Sequence, residues 1–145
     1  MHPLVVIGNI LTVFILVCPL VYKDPYTFAK KYYVHLAIMS ISLMIVRYTL
    51  VKVFPHVAVF HRPSSSCGPQ KTKELYTGGM PSGHMASIAL CCTLLSLTYP
   101  TIFVAIFGAF AIVTMAAFRY HIQCHNIPQI IAGTLIGGLW GKYIY

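Results

Sequence analysis

Five apolar runs divided by four loops account for most of this 145-residue chain. They cover about Leu4–Tyr22, Val34–Val53, His84–Tyr99, Ile102–Phe118 and Ile130–Tyr145. A helix needs roughly 20 apolar residues to cross a hydrocarbon core about 30 Å thick. The chain therefore has room for about five spans and for no separate soluble domain. Only 8% of its residues are charged, against roughly 25% in soluble domains, and mean hydropathy is +0.78. This pattern predicts an all-α, polytopic transmembrane bundle, with residues 1–145 forming a single membrane domain. The N-terminal run lacks a basic flank and a small-residue cleavage site and is long enough to span, so it reads as a span and not as a secretory signal.

Charge narrows the chemistry. Asp24 and Glu74 are the only acidic residues. A two-carboxylate glycosidase, an aspartic dyad and a carboxylate-caged magnesium site all need more acid than that. Seven His, ten Lys and Arg, and a net charge of +8 point to an anionic partner, with phosphate and anionic lipid leading. Nucleic acid is disfavoured, because the basic residues are dispersed among apolar spans. The cysteines show no metal-ligand spacing. Cys18, Cys91 and Cys92 lie in apolar runs as small core residues. Cys67 and Cys124 lie in two polar loops, where a bridge is an option if those loops face an oxidising lumen.

An odd number of spans puts the long Pro55–Ser82 loop and the Arg119–Pro128 loop on the side of the N-terminus. The Tyr22–Tyr33 loop and the C-terminus fall opposite, which makes Lys23, Lys30, Lys31 and Lys142 cytoplasmic under the positive-inside rule. The other side carries as many cations, among them Arg62, Lys71, Lys73 and Arg119. Those are set aside as charges a phosphate site would need. In the last run Gly133, Gly137 and Gly141 form a small-residue stripe suited to close helix approach.

Three islands of chemistry punctuate the loops. Met80-Pro81-Ser82-Gly83-His84 stands where a polar loop turns into an apolar helix. Ser82 is placed to cap, the first backbone N–H groups point outward to an oxyanion, and His84 can donate a proton. Alone, the same stretch is also an ordinary helix start. Arg119 and His125, six residues apart, flank a loop between two spans. They read as a bidentate phosphate clamp and a nucleophile. Taken singly, Arg119 reads first as an interfacial snorkelling arginine, and His125 is equally an interfacial polar residue. Asn126-x-x-Gln129 fits a capping box, so Gln129 caps the last helix, orients His125, or does both. The third island, His61-Arg62-Pro63, carries little information by itself.

In order and spacing, the islands together resemble the phosphatidic acid phosphatase type 2 superfamily, whose pattern is K-x6-R-P, then P-S-G-H, then S-R-x5-H-x3-D. Arg62-Pro63, Pro81-Ser82-Gly83-His84 and Arg119-x5-His125 match it, and the resemblance covers roughly Lys52 to Gly138. Phe118 replaces the serine, and Gln129 stands for the aspartate. Glucose-6-phosphatase and dolichyl-diphosphatase are similar in having Gln there. The nearest upstream lysine, Lys52, stands ten residues before Arg62 instead of seven. Either Lys52 reaches the phosphate or His56 substitutes. The chain also has one span fewer than the six usual in the family.

The resemblance implies a metal-independent phosphatase without a cofactor, acting on a lipid phosphate or diphosphate. His125 would attack phosphorus, and His84 would protonate the leaving group and then activate water. Arg62, Arg119, Ser82, Gly83 and Lys52 would bind the phosphate, and Gln129 would orient His125. The catalytic loops would be about 52–84 and 119–129, on the lumenal or exoplasmic face of an endomembrane such as the endoplasmic reticulum. The alternatives are a phosphotransferase that moves the phosphate to an alcohol, and a degenerate relative that binds anionic lipid or scaffolds membrane proteins.

Overall fold

The computed structural model describes residues 3–17, 25–63 and 78–145. Among them are five α-helices and no strand: α1 (Pro3–Val17), α2 (Pro25–Val53), α3 (Gly83–Thr98), α4 (Ile102–His121) and α5 (Ile127–Ile144). A single 3-10 turn, Ala58–Phe60, follows α2. Phe28–Val53 and Ile102–His121 are long and apolar enough to cross a membrane. Cys18, Lys23, Asp24, Cys67, Lys71, Lys73 and Glu74 lie outside the described residues.

Local chemistry explains most helix ends. Pro25 opens α2, where a missing N–H costs nothing. Pro55 closes it, because the residue before a proline is pushed out of helical geometry. Pro100 separates α3 from α4, and the Thr101 hydroxyl accepts the Val104 N–H to cap α4. Asn126 and Gln129 form a reciprocal capping box at the start of α5.

One boundary departs from expectation. Residues 25–33 are helical, not a loop, and extend α2 to 29 residues, about 43 Å. The cause is tertiary. Tyr32 is buried and its hydroxyl donates to the Ile15 carbonyl at 2.9 Å, while the Tyr33 hydroxyl donates to Leu16. Both carbonyls belong to the last turn of α1, which has no partners of its own for them.

Helix α3 is the axle of the bundle. Met85, Ala86, Ile88, Ala89, Leu90, Cys91, Cys92, Leu94 and Leu95 are all buried. A helix covered on nearly every side has no polar face to show, and so its sequence carries little amphipathic pattern. Helix α5 lies directly against α3 through the glycine stripe. A Cβ added at Gly133 or Gly137 would overlap the carbonyl of Ser82 or Ala86, and one at Gly141 would stand 3.2 Å from the Leu90 oxygen. Positions 133, 137 and 141 thus ride along 82, 86 and 90, a one-turn ridge meeting a one-turn groove. Around this pair, α2, α4 and α5 turn Ile41, Ile45, Phe103, Ile106, Phe110, Val113, Leu135 and Leu139 outward. Such a band of exposed aliphatic and aromatic side chains is untypical of a surface facing water.

Candidate active site

The α3–α5 contact sets the floor of the site, because α5 begins beside the start of α3. The Ser82 N–H donates to the Gln129 carbonyl at 3.0 Å. Around that junction, Ser82, Arg119, His125 and Gln129 are the buried polar and charged residues among those described.

Gln129 organises the surroundings of His125. Its Nε2 donates to the Val59 and His61 carbonyls, each at 2.7 Å. Its Oε1 accepts the Asn126 N–H at 3.2 Å and faces His125 Nδ1 at 3.1 Å. An amide offers two N–H donors and two acceptor lone pairs, and all four are engaged. The orientation follows: two carbonyls require the NH2 group, and a backbone N–H requires the oxygen. His125 therefore carries its proton on Nδ1 and donates it to Oε1, leaving the Nε2 lone pair free. Burial, and next the charge of Arg119, push the His125 pKa down to about 3, outweighing the bond from Gln129.

The two strands of loop are stitched together above it. Gly79 N–H donates to Phe60 O at 2.8 Å, His61 and Gly78 form an isolated antiparallel bridge, and Arg62 Nε donates to Gly78 O at 3.3 Å. A Cβ at Gly79 would meet the Gln129 amide at 2.5 Å, so only glycine lets the loop close over Gln129. This web carries Arg62 to the histidines: the charges of Arg119 and Arg62 act on both His84 and His125.

Two buried polar atoms at the site lack a hydrogen-bond partner among the described residues, Ser82 Oγ and Arg119 Nε. Ser82 occupies the N-cap position of α3, yet its side chain makes no capping bond. The capping expectation is therefore corrected. Its hydroxyl is fully buried with no hydrogen-bond partner among the described residues, an arrangement that costs about 1–3 kcal/mol unless another group completes it.

His125, Gln129, Ser82, Gly83, His84, Arg62 and Arg119 thus lie around one centre. Lys52 does not join them. It is exposed, and its ammonium stands 5.7 Å from the Tyr48 ring centroid one turn back along α2. His56 is likewise exposed. The cation that α2 does bring in is Arg47, which sequence reasoning passed over. Its Nε donates to the Pro81 carbonyl at 2.7 Å, and its guanidinium abuts Gly83. The signal was available, since an arginine inside an apolar span marks a functional site by default.

A model of the PAP2 superfamily matches residues 31–145. The chain belongs to the PAP2 superfamily. Membership agrees with the resemblance read from the three islands and supports a phosphoric ester hydrolase, since members of this superfamily are generally phosphatases. Comparison with curated proteins and with solved structures gave no match. Phe118, standing where the family pattern has serine, is buried against Gly8 of α1, where a Cβ would overlap its ring. Cys124 is disulfide-bonded, and Cys67, with which a bridge is one option, lies outside the described residues.

Proposed function

We propose that this protein is a multi-pass membrane phosphatase that hydrolyses a lipid phosphate or diphosphate through a phosphohistidine. The observation that carries the lipid reading is a cavity of about 350 Å³ between α1, α2 and α3. Its walls are largely apolar, including Ile15, Leu16, Leu36 and Leu43, and its lining also includes Arg47, Gly83 and His84. A ligand with a hydrocarbon body and an anionic head suits such a lining, and the volume lies within the usual range for small-molecule sites. A soluble sugar phosphate would leave the apolar walls unused.

In this reading His125 Nε2 attacks phosphorus in line with the ester oxygen. The N–P bond forms as the P–O bond to the lipid breaks, and His84, protonated as imidazolium once the anionic phosphate offsets the neighbouring arginines, gives its proton to the departing oxygen. Water then attacks the phosphohistidine, His84 takes the water's proton, the N–P bond breaks and inorganic phosphate leaves. Arg62 and Arg119 neutralise the equatorial oxygens, and Ser82 with the Gly83 and His84 N–H groups completes the cradle. Gln129 holds the His125 tautomer. The five helices act as five spans of a single domain with loops 52–84 and 119–129 carrying the chemistry. The disulfide at Cys124 supports a lumenal or exoplasmic active face.

The test is phosphate release from phosphatidate and from farnesyl diphosphate in EDTA-treated membranes. His125→Ala is expected to abolish it, and retained turnover would sink the nucleophile assignment. Added acceptor alcohols yielding a transfer product would instead identify a phosphotransferase. Lipid binding without turnover in the parent would identify a binding protein.

A further inference from the structure

Three guanidiniums converge where the superfamily pattern supplies two arginines and a lysine. Arg47, Arg62 and Arg119 all act electrostatically on both His84 and His125. No Asp or Glu side chain lies among the described residues to balance them, since Asp24 and Glu74 fall outside. Three like charges held together in a partly buried place are costly unless an anion joins them. Arg119 Nε and Ser82 Oγ, both buried and unpartnered among the described residues, belong to the same cluster.

Arg47 is built into this place. It lies six residues before the end of α2, about 9 Å along the helix axis. Leu36, Ser40, Leu43 and Arg47 follow helical spacing and together line the cavity. Lys52, five residues on, points about 140° away, so one helix cannot offer both cations to α3. Two glycines admit the arginine. A Cβ at Gly78 would stand 2.9 Å from Arg47 Cβ, and one at Gly83 would stand 2.6 Å from an Arg47 Nη atom. Nε is committed to the Pro81 carbonyl, which fixes the plane of the fork and leaves the Nη hydrogens beside Gly83, at the start of α3.

We propose that Arg47 is the third phosphate-binding cation, doing the work that the superfamily pattern gives to a lysine. It stands where the polar centre meets the apolar cavity, and so it grips the phosphate at the end that bears the hydrocarbon. The assignment rests on the phosphatase reading above.

The experiment compares the parent with Arg47→Gln and Arg47→Lys in detergent micelles with EDTA. Two quantities are read: kcat/KM for phosphatidate, and inhibition by orthovanadate, whose affinity does not depend on a hydrocarbon tail. Arg47→Gln is expected to lower kcat/KM by about 100-fold or more, the usual cost of losing one donor to developing charge. Orthovanadate affinity is expected to fall at least about 10-fold, with Arg47→Lys between the two. Arg47→Ala, run beside them with added guanidinium ion, is expected to regain both turnover and orthovanadate affinity, whereas mere support of the Pro81 carbonyl would leave orthovanadate affinity unmoved throughout. A parent that turns over while Arg47→Gln stays within about threefold on both measures overturns the assignment and leaves the phosphatase reading standing. Loss of turnover with unchanged orthovanadate affinity also overturns it, as a purely structural effect. A parent that neither turns over nor binds orthovanadate overturns both.

Discussion

His125 donates its Nδ1 proton to the amide oxygen of Gln129 across 3.1 Å, and that oxygen can point nowhere else. The other end of the amide is held by two carbonyls, Val59 and His61. Gln129 here does two things that an aspartate could not combine. It fixes the tautomer of His125, and it ties the loop after α2 to the start of α5.

Replacing Gln129 by Glu keeps the shape and puts an oxygen where the NH2 group stood. Two part-buried carbonyls, those of Val59 and His61, would then face an acceptor. At about 1–3 kcal/mol for each group left unsatisfied, stability is expected to fall by at least about 2 kcal/mol. Thermal unfolding in detergent reads the loss, and turnover should fall with it. A Glu variant as stable and active as the parent would contradict the bonding described.

Ser82→Ala separates activity from stability in the opposite sense. The hydroxyl has no hydrogen bond to lose among the described residues, so its removal relieves a buried polar atom. The unfolding temperature should be unchanged or rise, while kcat/KM falls about 10-fold or more through loss of a phosphate donor. A drop in stability would show that the hydroxyl is structurally bonded.

The pH dependence follows from His125. Its pKa stands at about 3 in the folded chain against an ordinary 6.5. Between those values the unfolded chain binds a proton that the folded chain refuses, so stability rises with pH across that window. Above 6.5 both forms are neutral and the contribution is flat. From pH 6.5 down to about 4, this group removes up to about 1.4 kcal/mol per pH unit. Melting temperatures of the parent and of His125→Asn over that range measure the difference, and the variant should show the shallower fall. Equal slopes would mean that His125 titrates normally. The same shift keeps the Nε2 lone pair unprotonated in mild acid.

Much of this was legible in the chain. Apolar runs and the breakers Pro55, Pro81 and Pro100 mark the helices, because burial and proline geometry act locally. The capping box at Asn126 and Gln129 is a short-range signal and reads directly. What escaped depends on distant partners. Residues 25–33 look like a loop until Tyr32 meets the Ile15 carbonyl. Arg47 stands out as an arginine inside an apolar run, but its nearness to Gly83 comes from how α2 leans on α3. Ser82 reads as a cap from its position, and only the fold shows its hydroxyl withheld from that duty.

The glycine-backed contact between α3 and α5 has a further consequence for how this protein fails. Gly133 rests on the carbonyl of Ser82 itself, so the last layer of bundle packing is also the underside of the candidate site. There is no cushion of side chains between scaffold and chemistry. Damage deep in the bundle, near Gly141, would be absorbed as lost robustness. The same lesion two turns nearer the loops would be felt as altered catalysis, with a fold that still looks sound.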